Sequence, residues 1–206
     1  MPHPSHRAQR PSPSPQSVQD RGRVSLLAPA DPSAALALAC TIAHPWYRVQ
    51  ALATVAEHAA EADLAAALDR AARDSMACHD AYGRVAVMAW PIGAALRRGC
   101  LAYARRERDR VLALAEAVEP RDSQAFALEL LWTACHAVEP AFAVPVWRRV
   151  LALCDPDRSW RAERLYRHLA EALDERHAGA ASSVIRAMPQ GKARRRLERR
   201  FSGNCG

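Results

Sequence analysis

Lysine is almost missing from this chain: Lys192 stands alone beside 28 arginines in a length of 206 residues. Arginine in place of lysine, together with 45 alanines, is what a GC-rich coding sequence produces, so the ratio itself carries no functional meaning. Glycine is also scarce, at eight residues. Loops that wrap a phosphate or present a nucleophile need glycine where the main chain turns sharply or approaches a ligand. The sequence has no Gly-rich phosphate loop, no G-x-S-x-G and no H-E-x-x-H, so a catalytic role is not expected. Six cysteines occur without one C-x-x-C pair. Cys-His neighbours occur at Cys78-His79 and Cys135-His136, but zinc needs about four converging ligands and adjacent helix residues such as Cys135 and His136 point about 100° apart, so neither a metal nor a cofactor is expected. No apolar run approaches the roughly 18 residues that a membrane span requires. Residues 1–23 lack a continuous apolar stretch, which argues against a secretory signal and makes the cytoplasm the expected location.

What is present is helical. Half of the residues are apolar, few of them aromatic, and an Ala-rich interior implies closely approaching helices. Period-two alternation never persists, so no strands are expected. The net charge of +7 divides unevenly: residues 1–25 carry +3, residues 186–200 carry +6, and the stretch between them carries −2. The basic excess therefore sits at the two ends, and only clustered charge of this kind attracts polyanions. Residues 1–30 hold six of the fourteen prolines, with serine interleaved at Pro11-Ser-Pro-Ser-Pro15. Their composition predicts a disordered leader, its PxxP-like pattern more simply a solvated segment than a ligand for an SH3-type domain.

From Asp31 onward one phrase recurs: an apolar helical run, a short acidic or His-Pro junction, then a helix opened by an aromatic or Arg. It reads Ile42-Ala-His44-Pro45-Trp46-Tyr47-Arg48, then Val118-Glu119-Pro120-Arg121, then Cys154-Asp155-Pro156-Asp157-Arg158-Ser159-Trp160-Arg161. A copy without proline runs from Met76 to Arg84, and another is expected at Met188-Pro189. Aligning Arg48, Arg84, Gln124 and Arg161 gives steps of 36, 40 and 37 residues, with a fifth copy near Arg195 or Arg196. A period of this length signals helical hairpins that bury their apolar faces on their neighbours. Asp31-Pro32-Ser33 supplies an N-cap with Pro at N1. Trp90-Pro91 should kink a helix over 82–98, and Arg105 to Arg110 on the next should face water.

The Asp155–Trp160 boundary, with proline closing one unit and an aromatic opening the next, resembles the tetratricopeptide and HEAT-like helical-repeat superfamily across roughly residues 31–201. That resemblance implies an all-α fold, an α-solenoid of about four to five antiparallel hairpins over 31–201, followed by a flexible tail at 202–206. It transfers no functional residue.

Two sets of candidates follow. Arg48, Arg84 and Arg161 fall in the first turn of their helices, where the macrodipole disfavours a cation. Each either bonds the carbonyls that end the preceding helix or a junction acid, or lines a groove for an acidic partner; the structural role is favoured. Cys40, Cys78 and Cys154, six to eight residues upstream of them, are assigned to packing. Of the five tryptophans, Trp46 and Trp160 are expected to plug the junctions, whereas Trp147, beside Arg148-Arg149, is the candidate partner contact. The second set is Lys192, Arg194, Arg195, Arg196, Arg199 and Arg200, on a helix whose Leu197 and Phe201 form an apolar stripe. Capping of the last hairpin is favoured over contact with a polyanion. The expected role is a non-catalytic scaffold or adaptor for a protein or peptide, with nucleic-acid binding through this last helix as the alternative.

Overall fold

A computed structural model describes residues 14–157, 160–175 and 178–202, the side chain of Arg161 excepted. Among these residues the regular elements are all helices, twelve of them. The helices fall into two compact units that divide between Leu114 and Ala115, where the sequence predicts one body over 31–201.

The first unit holds α1 (Pro15–Leu27), α2 (Pro32–Thr41), α3 (Pro45–His58), α4 (Glu61–Ser75), α5 (Ala81–Ala86), α6 (Ala89–Arg97) and nearly all of α7 (Leu101–Ala115). Its centre is α3, against which α1, α2, α4 and α6 pack. Seven α3 residues from Val49 to Ala56 are buried, too many for one stripe, which is how a helix enclosed by neighbours reads. Alanines at 51, 53 and 56 let those neighbours come close.

The expected leader is shorter than its composition implies. Proline disrupts a helix interior but suits its first turn, and Pro15 occupies that place in α1 behind the N-cap Ser14, whose hydroxyl accepts from the Ser17 amide. Ser17 is buried and receives the His44 amide at 3.3 Å, Arg21 reaches Gln50 on α3 at 3.4 Å, and Val24 and Ala28 are fully buried. The disordered-leader reading is thus corrected for 15–27, and its residues 1–13 lie outside the described residues.

Asp31 caps α2 as expected, accepting from the Ala34 amide at 2.9 Å. The proline break falls one turn earlier than expected: helix stops at Ala86 and resumes at Ala89. The Pro91 ring collides with the carbonyl four residues back, that of Val87, and the disruption lies there. Gly99 ends α6 with φ +73°, a conformation that glycine adopts without strain, and the Cys100 amide then closes onto the Ala95 carbonyl at 2.8 Å. On α7 the Arg105–Arg110 stretch does not wholly face water, because Glu107 is buried and bonded by Arg106 at 2.9 Å and Arg110 at 3.1 Å.

The second unit holds α8 (Arg121–His136), α9 (Pro140–Leu153), α10 (Trp160–Asp174), α11 (Ala181–Ala187) and α12 (Lys192–Ser202). α8 pairs with α9, α10 with α11 and with α8, and α12 lies against α11. The core is formed by Leu128, Leu131 and Trp132 of α8, Val146 and Val150 of α9, and Leu165, Tyr166 and Leu169 of α10. The indole of Trp132 stacks on His136 at 4.7 Å and meets the edge of His168 at 6.1 Å, and His168 in turn bonds Glu129 at 2.6 Å.

Candidate functional site on the last helix

The site begins with the way α12 is held. The Asp157 carboxylate, after α9, accepts the Ala193 amide at 2.9 Å and so caps the first turn. Gly191 lies so close to that carboxylate that an added Cβ would stand 1.5 Å from its Oδ2. Ala193 and Leu197 are buried beneath the helix. Arg194 donates to the Met188 carbonyl at 3.3 Å and to Glu198 at 2.7 Å. Arg196 reaches across to Glu163 of α10 with two bonds, the Nε one at 2.8 Å, and Arg200 reaches Glu171 at 2.7 Å. The hydrogen bond to Glu163 raises the Arg196 pKa above its ordinary value, so that charge is fixed as well as placed.

Three cations remain. Lys192, Arg195 and Arg199 are exposed and have no acidic partner among the described residues. Spaced by three and four residues, they share one face of the helix and span about 10 Å of its axis. With Arg196, Glu198 and Ser202 they line an open concavity of about 770 Å³. The six cations proposed from the sequence therefore separate into three that bind α12 to the body and three that point away from it.

The other candidates take different roles. Arg48 is spent inside the first unit: it donates to the Ile42 carbonyl at 2.7 Å, the Ala43 carbonyl at 3.1 Å and Asp74 at 2.8 Å. Arg84 donates to the Cys78 carbonyl at 3.1 Å. With Arg194 and Met188 these make a recurring clamp, in which an arginine early in a helix holds the carbonyl six residues back at the end of the helix before it. The fifth copy is thus Arg194, one or two residues before the position aligned from the sequence. Gln124 breaks the series as a buried side chain whose Nε2 has no hydrogen-bond partner among the described residues. The Arg161 side chain lies outside the described residues. Trp147 is half-buried, its indole nitrogen enclosed and without a hydrogen-bond partner among the described residues, so it is not the exposed contact expected of it.

Two further expectations are corrected. Cys40 is exposed, whereas Cys78 and Cys154 are buried, and burial pushes their thiols to about 11 and about 12, far from thiolate at neutral pH. Trp46 packs at its junction, edge-on to Trp90 at 5.6 Å, but Trp160 does not plug one: it is 71 % exposed. Helical periodicity holds the signal for that exposure, since Ala162, Leu165 and Leu169 define the buried face of α10 and residue 160 falls opposite them. The pairing of Glu163 and Glu171 with Arg196 and Arg200 joins positions about thirty residues apart and leaves no local mark.

Among the described residues no group of three or more His, Cys, Asp or Glu side chains is placed to hold a metal ion, and no helix is long and apolar enough to cross a membrane. No protein-family model, curated protein or solved structure matches the chain.

Proposed function

We propose that this protein is a non-catalytic binding module that holds a polyanionic partner on the outward face of α12. One observation carries the reading: Lys192, Arg195 and Arg199 share an exposed face and have no acidic partner among the described residues, while Arg194, Arg196 and Arg200 beside them are bonded to the body. Unpaired cations in a row keep their full attraction for a polyanion, whereas paired ones have lost most of it. The module is built on the helical-hairpin plan of tetratricopeptide and HEAT-like proteins, a reading supported by the arginine clamp at three junctions. A protein scaffold role fits the same plan, with acidic segments as its partners.

Retention of the full-length protein on immobilised heparin tests the reading. The triple variant Lys192→Glu/Arg195→Glu/Arg199→Glu is expected to elute at much lower salt than Arg23→Glu/Arg105→Glu/Arg148→Glu, which changes the net charge equally. Equal elution of the two variants would refute a site on α12.

A further inference from the structure

Ser202 closes the outward row of α12. It is the last residue of the helix, is exposed, and lines the same open concavity as Lys192, Arg195 and Arg199. Arg199 precedes it by three residues and Arg195 by seven, spacings that bring side chains to one face of a helix. Its hydroxyl donates to the Glu198 carbonyl at 2.6 Å. The run Arg199-Arg200-Phe201-Ser202 puts arginine both three and two residues before that hydroxyl, and no other serine or threonine of the chain has both. A protein kinase whose cleft carries carboxylates at those two places reads the pattern by charge. Reading it requires the last turn of α12 to open, and little holds that turn. Phe201 is only half-buried, and Arg200 with Glu171 is a surface pair of the kind that contributes little.

Resting on the proposed polyanion role, we infer that Ser202 is a phosphorylation site whose phosphate occupies the outward cations of α12 and releases their partner. In the transfer, Ser202 Oγ attacks the γ-phosphorus of ATP. The Oγ–P bond forms as the bond to the bridging β,γ-oxygen breaks, ADP leaves, and the hydroxyl proton passes to the kinase's base. The hydrogen bond to the Glu198 carbonyl goes with that proton. The product carries about two negative charges at neutral pH, which set against three cations leave the face with about one positive charge. Arg199, one turn back, offers the paired N–H groups that suit phosphate. Glu198, on the same turn, is already bonded to Arg194 at 2.7 Å and repels the phosphate towards the arginines. The backbone offers no competing attraction, because a helix C-terminus disfavours an anion. The fold of the unit is left alone: Ala193 and Leu197, which seat α12 on the body, lie more than a turn from Ser202. A modified Ser202 therefore acts on the charge that α12 shows outward, as in electrostatic switches that phosphate throws on basic segments.

The test has two arms, both on the full-length protein. In the first, the protein is incubated with ATP and a kinase selective for arginine two and three residues before its serine, and the product is mapped by mass spectrometry. Phosphate should enter at Ser202 and not at that position in Ser202→Ala. Arg199→Ala should slow the transfer by roughly tenfold or more, the loss of one charge-assisted pair. In the second arm, protein phosphorylated at Ser202 throughout, made by codon suppression, is compared on immobilised heparin with protein phosphorylated at Ser25. That serine is exposed in the first unit, so the net charge changes equally. Phosphate at Ser202 should bring elution down to the salt that releases Arg195→Ala/Arg199→Ala, while phosphate at Ser25 should leave it near the wild type. No transfer to Ser202 would overturn the inference, as would equal elution of the two phosphorylated proteins. In either case, early elution of Lys192→Glu/Arg195→Glu/Arg199→Glu would leave the polyanion reading standing. Retention indifferent to that triple variant as well would overturn both.

Discussion

The junction between α2 and α3 and the terminal helix α12 both rely on arginine, and they use it in opposite ways. At the first, Arg48 turns inward and bonds two helix-end carbonyls and the Asp74 carboxylate, which it shares with Arg70. At the second, Arg195 and Arg199 turn outward and bond no acidic group among the described residues, while their neighbours Arg196 and Arg200 are spent on Glu163 and Glu171. Residue type is the same in the two places; what differs is the density of charge around it and the company each guanidinium keeps. Charge counting along the chain singles out α12 but overstates its unpaired charge about twofold. Pairing, which depends on residues about thirty positions away, decides what is available to a partner.

The comparison can be broken most forcefully at Arg48. Arg48→Ala strips a mostly buried cation from two helix-end carbonyls and from Asp74, leaving Asp74 to Arg70 alone at 3.0 Å. A loss of about 2–4 kcal/mol in urea unfolding is expected, with heparin retention of the folded protein unaltered. Arg48→Ala with unchanged stability and weakened retention would transfer Arg48 to the binding side of the comparison.

A smaller effect is expected from alkali, acting through the buried thiols. Cys78 and Cys154 ionise near 9 when unfolded but only at about 11 and about 12 when folded, chiefly because burial penalises the thiolate. The unfolded chain therefore releases these protons first. The stability they provide is complete below pH 9 and lost as pH rises from there towards 11 and 12. Cys78→Ala should flatten the fall in the urea midpoint over that range, and an unflattened curve would show that its thiol contributes nothing.

Gly191→Ala should cost about 1 kcal/mol, the value of an N-cap, because the new methyl displaces the Asp157 carboxylate from the Ala193 amide. Amide exchange at Ala193 reports it directly, and protection equal to the wild type would show that the carboxylate had kept its place. Smallest of all, Arg199→Ala should change stability by less than about 0.5 kcal/mol while lowering the salt needed to elute the protein from heparin. A large loss of stability there would mean that Arg199 has a partner in the body and belongs with Arg196.

Much of the helix order was legible in the residues themselves. Asp31-Pro32 and His44-Pro45 open helices where they should, because a cap followed by proline is a purely local instruction. The arginine clamp was legible in principle from the unfavourable position of Arg48 in the first turn of α3. The failures are those where composition was averaged over a segment with internal order, as in α1, or where contact is made at long range. Pro15 reads as a breaker when counted among six prolines and as a helix start when placed beside Ser14. Glu107 reads as one charge in a solvated run, and its two neighbouring arginines are what permit its burial. At the candidate site, the six cations can be named from the sequence but not sorted, and Trp160 reads as a packing residue by its place in the repeat but as an exposed one by its side of the helix.

Two arginine–glutamate ties one helical turn apart fix more than the position of α12; they fix its rotation. Arg196 and Arg200 act as paired stays on one side of the cylinder, so the azimuth at which Lys192, Arg195 and Arg199 project is set by α10. Inserting a single residue after Gln190 would turn the helix by about 100° relative to those ties. The same six cations would then be dealt into a different paired and unpaired set, with composition almost untouched. Which charges this protein shows to the outside is thus a property of angular register.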